Sequence, residues 1–459
     1  MKIFVVGAGP LPFESSSTLY GLGYRTWHVV KPLIEDGHQV RVAACRIPTA
    51  SELGLKVPIV QRIVDCGLRN ADFEYYSINE MQPFLDVVSV QKLYDEFEPE
   101  CIIGVNGLPA SIAAKLDAEV PFWADLNGWL MAEAQSKAAL LGSDAPLSEF
   151  WEQEKVVIER ADIFSTVSIP QKFALLGELA AFGRLNMATT GYEFVYHIPN
   201  SIELKEYQHE KMVVRHEIGP ETFVVLWSGG YNTWTDIDTL FTGLCGAMEK
   251  NDRIRFVSTG GTLRGHDEKT YLRFQDLISQ SKFKDRFILR GWVANEDVYN
   301  YYFESDLGIN IDIQNYETMF GARNRLLHMM KLGLPVITTL GTEISYVVAE
   351  HQLGLTFEVG NKEQLIDRIL YAASHQPDLK DIGTKAKEFV YREYNCNKTA
   401  MPIRDWVKNP QLAPDRKIQK SEVRSHPPKG EISPKAEKLE TDASSPISIL
   451  KSFFKKGKA

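Results

Sequence analysis

The sequence predicts two α/β domains in tandem, each a Rossmann-like unit on a parallel sheet, and three observations support this. The chain has 459 residues, too many for one hydrophobic core, since single cores stop growing near ~250–300 residues. Short apolar runs alternate with longer amphipathic ones, the βαβ pattern of a parallel sheet with right-handed crossovers. The strand-then-glycine opening of residues 2–9 also returns at residues 222–230.

The elements follow in order. Residues 2–6 read as a buried strand, 24–36 as a helix closed by Gly37, and 38–44 as a second strand. Strands at 101–105, 122–125 and 163–167 come next, with helical stretches at 109–116 and 147–160. The stretch 197–220, with Pro199-Asn200-Ser201 and then charged residues, reads as a linker. The second series has strands at 222–227, 254–258, 287–289, 307–311, 335–338 and 355–359, with a helix at 236–249. Residues 378–407 read as two closing helices broken near 395–398. The expected domains are therefore 1–200 and 201–384, with closing helices at 385–408 that return to the first domain and a tail at 409–459.

Composition narrows the function. At 44% hydrophobic and 24% charged, the chain is neither disordered, collagen-like nor a disulfide scaffold. Cys45, Cys66, Cys101, Cys245 and Cys396 are scattered without a CxxC pair, which points to free thiols in a reducing, cytoplasmic setting. The formal charge of −9 argues against nucleic acid as a partner. No apolar run reaches the length of a transmembrane helix, and the opening run is too short for a signal peptide.

Residues 411–459 differ, with 11 Lys and Arg against 6 Asp and Glu and few aromatics. Such a tail is expected to be disordered, and cutting after Pro410 is expected to leave the fold unchanged. At its end Ile447, Leu450, Phe453 and Phe454 fall at helical spacing among lysines up to Lys458. Residues 447–458 could thus form a peripheral membrane contact, or simply a sticky end.

In open parallel sheets, ligands bind beyond the carboxyl ends of the strands. Gly7-Ala8-Gly9 stands there, but it lacks the third glycine of a dinucleotide fingerprint, and no helix begins directly after it. In the second half the same positions hold Gly229-Gly230, Gly260-Gly261 and Arg290-Gly291-Trp292. Glycine turns let backbone approach a ligand, although a plain tight turn is the alternative. Trp292 offers a face for a base, or packs in the core. Arg323 and Arg325 could pair with phosphate, or lie in a salt-bridged helix face. His328 is most simply cleft-edge packing. Asp236-Ile237-Asp238 has the spacing of a metal-binding pair but reads as helix capping, so no metal and no other cofactor is expected.

The segments HVVKPLIEDGHQV, WSGGYNTWTDIDTL, RGWV and YETMFGARNRLLHMMKLGLPVITTLGTEI resemble the two-domain retaining glycosyltransferases of the GT-B fold, family-4-like (group 1 type). The likeness is to a subgroup with an ET-x-F-x-x-R-x-R stretch, and it covers roughly residues 1–408. It implies a nucleotide-sugar donor in the second domain and a glycan or lipid-linked acceptor held by the first, with cell-surface polysaccharide synthesis as the setting. It would make Gly229 and Gly230 the turn facing the donor phosphates, and Arg290 and Trp292 the segment beside the base. Gly260 and Gly261, just after another strand, are also expected to bind the donor. Glu317 and Thr318 would touch sugar and diphosphate, with Arg323 and Arg325 as the subgroup's basic residues. Gly21 and Gly23 would belong to a glycine loop over the donor, while Asp125, Asn127 and Gly128 would line the acceptor side, Asp125 as a weak candidate base. His328 stands where the broader family carries an acidic residue for the ribose; a neutral imidazole brings no fixed charge. Two other readings of the same fold are a nucleotide-sugar epimerase, which needs no acceptor, and a non-catalytic nucleotide-sugar-binding scaffold.

Overall fold

A computed structural model describes residues 1–14, 19–46, 60–63, 72–79, 86–263 and 266–416. Cys66 and residues 447–458 lie outside them. The first domain runs β1 (Lys2–Ala8), α1 (Gly21–Glu35), β2 (Gln39–Arg46), β3 (Val60–Ile63), β4 (Phe73–Asn79), α2 (Asp86–Phe97), β5 (Cys101–Val105) and α3 (Gly107–Ala114). It continues with β6 (Phe122–Leu126), α4 (Leu130–Leu141), α5 (Ala145–Arg160), β7 (Ile163–Thr166), α6 (Ile169–Ala181) and β8 (Val195–His197). Its eight strands are ordered β3-β4-β2-β1-β5-β6-β7-β8, all parallel except β3, which runs antiparallel to β4.

The second domain runs α7 (Arg215–Ile218), β9 (Phe223–Ser228), α8 (Ile237–Lys250), β10 (Ile254–Thr259), α9 (Thr270–Ser279), β11 (Phe287–Gly291), α10 (Asn295–Phe303) and β12 (Leu307–Asn310). Then come α11 (Tyr316–Phe320), α12 (Asn324–Lys331), β13 (Val336–Thr339), α13 (Glu343–Glu350), β14 (Leu355–Phe357), α14 (Lys362–Ser374), α15 (Gln376–Glu393), α16 (Cys396–Thr399) and α17 (Met401–Trp406). The parallel six-stranded sheet is ordered β11-β10-β9-β12-β13-β14. In both sheets the order reverses beside the first strand, so β1/β5 and β9/β12 are switch points where a crevice opens for ligands.

Each sheet is covered on both faces, which is why the central strands are nearly unbroken apolar runs. Phe4, Ile102, Phe122 and Phe164 pack toward one layer of the first domain, and Val5, Ile103 and Trp123 toward the other. Phe223, Val225 and Phe256 do the same for one face of the second sheet, and Val224, Leu226 and Val257 for its opposite face.

The chain crosses between domains twice, side by side. Ile202 N–H donates to Tyr394 O at 2.8 Å and Cys396 N–H to Ile202 O at 2.9 Å, so outgoing and returning strands brace each other. Beyond the crossing, Ile403 and Val407 enter the first domain's core, and Arg404 pairs with Asp36 through two bonds of 2.7 and 2.6 Å.

The boundary of the tail needs correction. Residues 409–416 are not a free extension. Ala413 N–H donates to the buried Asp162 at 2.8 Å, Arg416 pairs with Asp162 at 2.7 Å, and Arg184 pairs with Asp415 at 2.8 Å. Ala413 is fully buried in the first domain. Among the described residues, no helix is long and apolar enough to cross a membrane.

Candidate active site

Three turns at the carboxyl edge of the second sheet form a layered floor. Gly229 has φ +102°, and Gly260 has φ +116°. A Cβ at Gly260 would fall 2.1 Å from Gly229 O, so only glycine lets the two turns touch. Gly229 N–H donates to Thr259 O at 2.7 Å and Gly260 N–H to Gly291 O at 2.6 Å, which stitches the turns after β9, β10 and β11 together. Gly230 and Gly261 are small for packing, against Leu263 and Tyr271 respectively.

The two arginines part company. Arg323 is buried, and its Nε donates to Asp312 at 2.9 Å while Nη2 donates to Glu317 at 2.8 Å. Burial works to lower its pKa, but the two carboxylates outweigh this and raise it. Burial pushes the Glu317 carboxyl up to about 7 against the pull of Arg323. Arg323 is thus the centre of an internal ion-pair triad rather than a phosphate ligand, and Glu317 is spent on holding it. Thr318 is also buried; its N–H donates to Asn315 and its Oγ1 accepts from Arg323.

Arg325 is different. Its Nη2 donates to Gly230 O at 2.9 Å, its guanidinium lies 3.7 Å from the centre of the Trp227 ring, and its buried Nη1 has no partner. Burial, with Arg323 nearby, lowers its pKa to about 10. A desolvated cation at a glycine floor, with no carboxylate ion pair of its own, has the chemistry to pair with an anion.

The first domain closes over this floor through the start of α1. A Cβ at Gly21 would lie 2.9 Å from Asn324 Nδ2 of α12, so the glycine permits close approach across the crevice. Gly23 serves packing inside its own domain, against Pro10 O. Tyr24 donates to Asn295 at 3.0 Å, and its ring meets His328 at 4.5 Å. Burial lowers the His328 pKa to about 3, leaving a neutral ring whose Nε2 has no partner. Trp292 donates to Thr262 O at 2.9 Å and packs edge-on to Tyr20 at 5.6 Å, so it stands at the crevice mouth. Arg290 pairs through Nη2 with the exposed Glu217, while its buried Nε has no partner.

Asp125 is also placed differently from the expectation. It is fully buried, takes two bonds from Arg25 at 2.7 and 2.6 Å, and accepts from Ser165. Arg25 in turn donates to Ile198 O and Pro199 O. The pair locks α1 to the linker and leaves Asp125 no room to act as a base. Asn127 donates to Asn106 at 3.1 Å, and Gly128 turns with φ +98° at the end of β6. Asp236 caps α8 through Thr239 N–H at 3.0 Å, and among the described residues no cluster of three metal-ligating side chains occurs.

The sequence reading places Trp227 and Arg25 only within longer motif segments, and leaves Asp312 unassigned. Asp312, a carboxylate just past a strand, could have been found by the same rule that picked the glycines. The domains also meet outside the floor, where Ser168 Oγ donates to Phe320 O at 2.7 Å, and Ile169 N–H to Glu343 at 2.6 Å.

Residues 222–375, which carry this floor, match the family model described as glycosyl transferases group 1. This part of the chain is a group 1 glycosyltransferase domain. Solved structures show that the fold is GT-B. The chain is similar to the sucrose-phosphate synthase of Thermosynechococcus elongatus, with a TM-score of 0.63 at 15% identity over 92% of this chain and 100% of that one. It is also similar to Anabaena HepE in complex with UDP-glucose, with a TM-score of 0.62 at 14% identity over 89% and 99%. The trehalose-6-phosphate synthase OtsA gives 0.66 at 10% identity over 90% and 99%. No functionally curated protein sequence matches the chain.

Proposed function

We propose that this glycosyltransferase takes a nucleotide-sugar donor, most simply a UDP-sugar, and moves the sugar with retention to a glycan or lipid-linked acceptor of cell-surface polysaccharide synthesis. The observation that carries the donor assignment is Arg325 Nη1, buried without a partner at the Gly229-Gly230 turn. As the sugar leaves, negative charge gathers on the diphosphate. A guanidinium already desolvated there stabilises that charge without reorganising. The reading needs no metal for this task. It also needs no carboxylate base, because the departing phosphate can accept the acceptor's proton, and both Asp125 and Glu317 are bound in ion pairs. HepE, with its bound UDP-glucose, supports a uridine donor. A cytoplasmic setting at the inner membrane face, with residues 447–458 as the contact, belongs to the same proposal.

Thermal shift against UDP, GDP, dTDP, ADP and CMP with their sugar conjugates tests the reading. A ligand at ~100 times its dissociation constant adds about 2.7 kcal/mol to stability, so one nucleotide should stand out. A flat panel on folded protein overturns the assignment.

A further inference from the structure

Beside the donor floor lies a cavity of about 1000 Å³ that the reaction as described does not use. It sits between α4, α5 and α6 of the first domain and α11 of the second. Its space exists because Ala132, Ala138, Ala174 and Gly177 are small, while Trp129 and Phe320, 5.1 Å apart, form an aromatic wall. Tyr316 and Phe320 face it from the helix that bears Glu317 on another side. Leu141, Phe173 and Met319, each next in sequence to a lining residue, are exposed.

The lining is mostly apolar, with Gln135, Ser143, Asp144 and Glu178 among its polar side chains. Glu178 lines the cavity and accepts from Trp129 Nε1 at 2.8 Å. Glu154 lies buried behind it, and burial together with the facing carboxylate raises the Glu154 pKa well above its usual range. Burial raises that of Glu178 as well. Two facing carboxyls share a proton more readily than both ionise, so the Glu178 side of the wall is weakly charged. Away from Gln135, Ser143, Asp144 and Glu178, the wall offers a sugar or a water few hydrogen-bond partners. Hydrocarbon loses nothing by entering and is driven in by removal from water.

We propose that this cavity holds the hydrocarbon chain of an amphiphilic acceptor, whose head then lies at the α11 edge beside the donor floor. The assignment rests on the glycosyl-transfer reading above and narrows it from a glycan or lipid-linked acceptor to one whose hydrocarbon chain is held by the protein itself.

The test uses full-length protein and 11-bromoundecan-1-ol, whose bromine quenches tryptophan fluorescence on contact, with 2-bromoethanol as the short-chain control. Saturable quenching by the long alcohol alone is expected. Gly177 stands in mid-helix, and a Cβ there would meet nothing within 4 Å, so Gly177→Leu fills the cavity without a clash. It should weaken the long alcohol about tenfold or more by displacing several methylenes, with the nucleotide thermal shift unchanged. Ala174→Leu serves as an independent filling variant. Quenching equal for both alcohols, or undiminished in both variants, overturns the proposal. Saturable quenching with no response to any nucleotide would mark a lipid cavity without donor chemistry, and would overturn the acceptor assignment while leaving the cavity's contents established.

Discussion

Arg323 and Arg325 stand two positions apart on the same turn of chain, yet removing them should have opposite consequences. Arg323→Ala leaves Asp312 and Glu317 buried without their cation, which should cost about 3–5 kcal/mol and lower the urea midpoint accordingly. Arg325→Ala removes a cation with no carboxylate partner, so stability should hold. Nucleotide affinity should fall by about 10–100-fold, the worth of charged hydrogen bonds at roughly 1.5–3 kcal/mol, as read by calorimetric titration. The buried histidines make a third prediction. Burial, and then Lys331, lower His28 and His328 to about 3 from 6.5. Between those values the unfolded chain binds protons that the folded chain refuses. Stability therefore falls as pH drops below 6.5, by about 1.4 kcal/mol per pH unit for each histidine. Urea midpoints at pH 6.5 and 5 should show a shallower slope in His28→Phe than in the wild type.

At the level of elements, the returning segment after α17 makes the sharpest prediction. Ending the chain after Lys417 should leave the urea midpoint unchanged. Ending it after Pro410 strips Ala413 and Arg416 from the buried Asp162, and should cost roughly 2–3 kcal/mol. Composition could not reveal this, because the partners of Ala413 and Arg416 lie more than 250 residues away in sequence. The same limit explains Asp125, whose role is set by an arginine 100 positions earlier. What could be read locally was read well. The strand at 101–105 coincides with β5, because a fully apolar run between helices has few other fates. By contrast β4, with Glu74, Tyr76 and Ser77 among its apolar residues, and the three-residue β8 gave no clear period. The helix placed at 24–36 begins earlier, at Gly21, since its first turn is made of residues that weakly favour helix and are held there by the opposite domain.

Across the whole molecule, the two domains are held together by polar contacts across the crevice, among them Tyr24 with Asn295 and Ser168 with Phe320. Glu343 carries two of them, accepting from Ile169 N–H at 2.6 Å and pairing with His197 at 2.9 Å. Glu343→Ala should therefore open the pair, seen as a larger radius of gyration in solution scattering, and nucleotide should reverse part of the change.

The return of residues 401–416 onto the first domain also sets the order of events during synthesis. A ribosome that has finished the last strand of that domain, at His197, has not yet made Ile403, Val407 or Ala413, which complete its core. At about 5–20 residues per second, the wait lasts on the order of 10–40 s. Until then the nascent first half keeps an open apolar seam and an Asp162 that lacks two of its partners, Ala413 N–H and Arg416, a ready binding place for chaperones. A gene fragment ending near residue 200 would leave that seam open permanently.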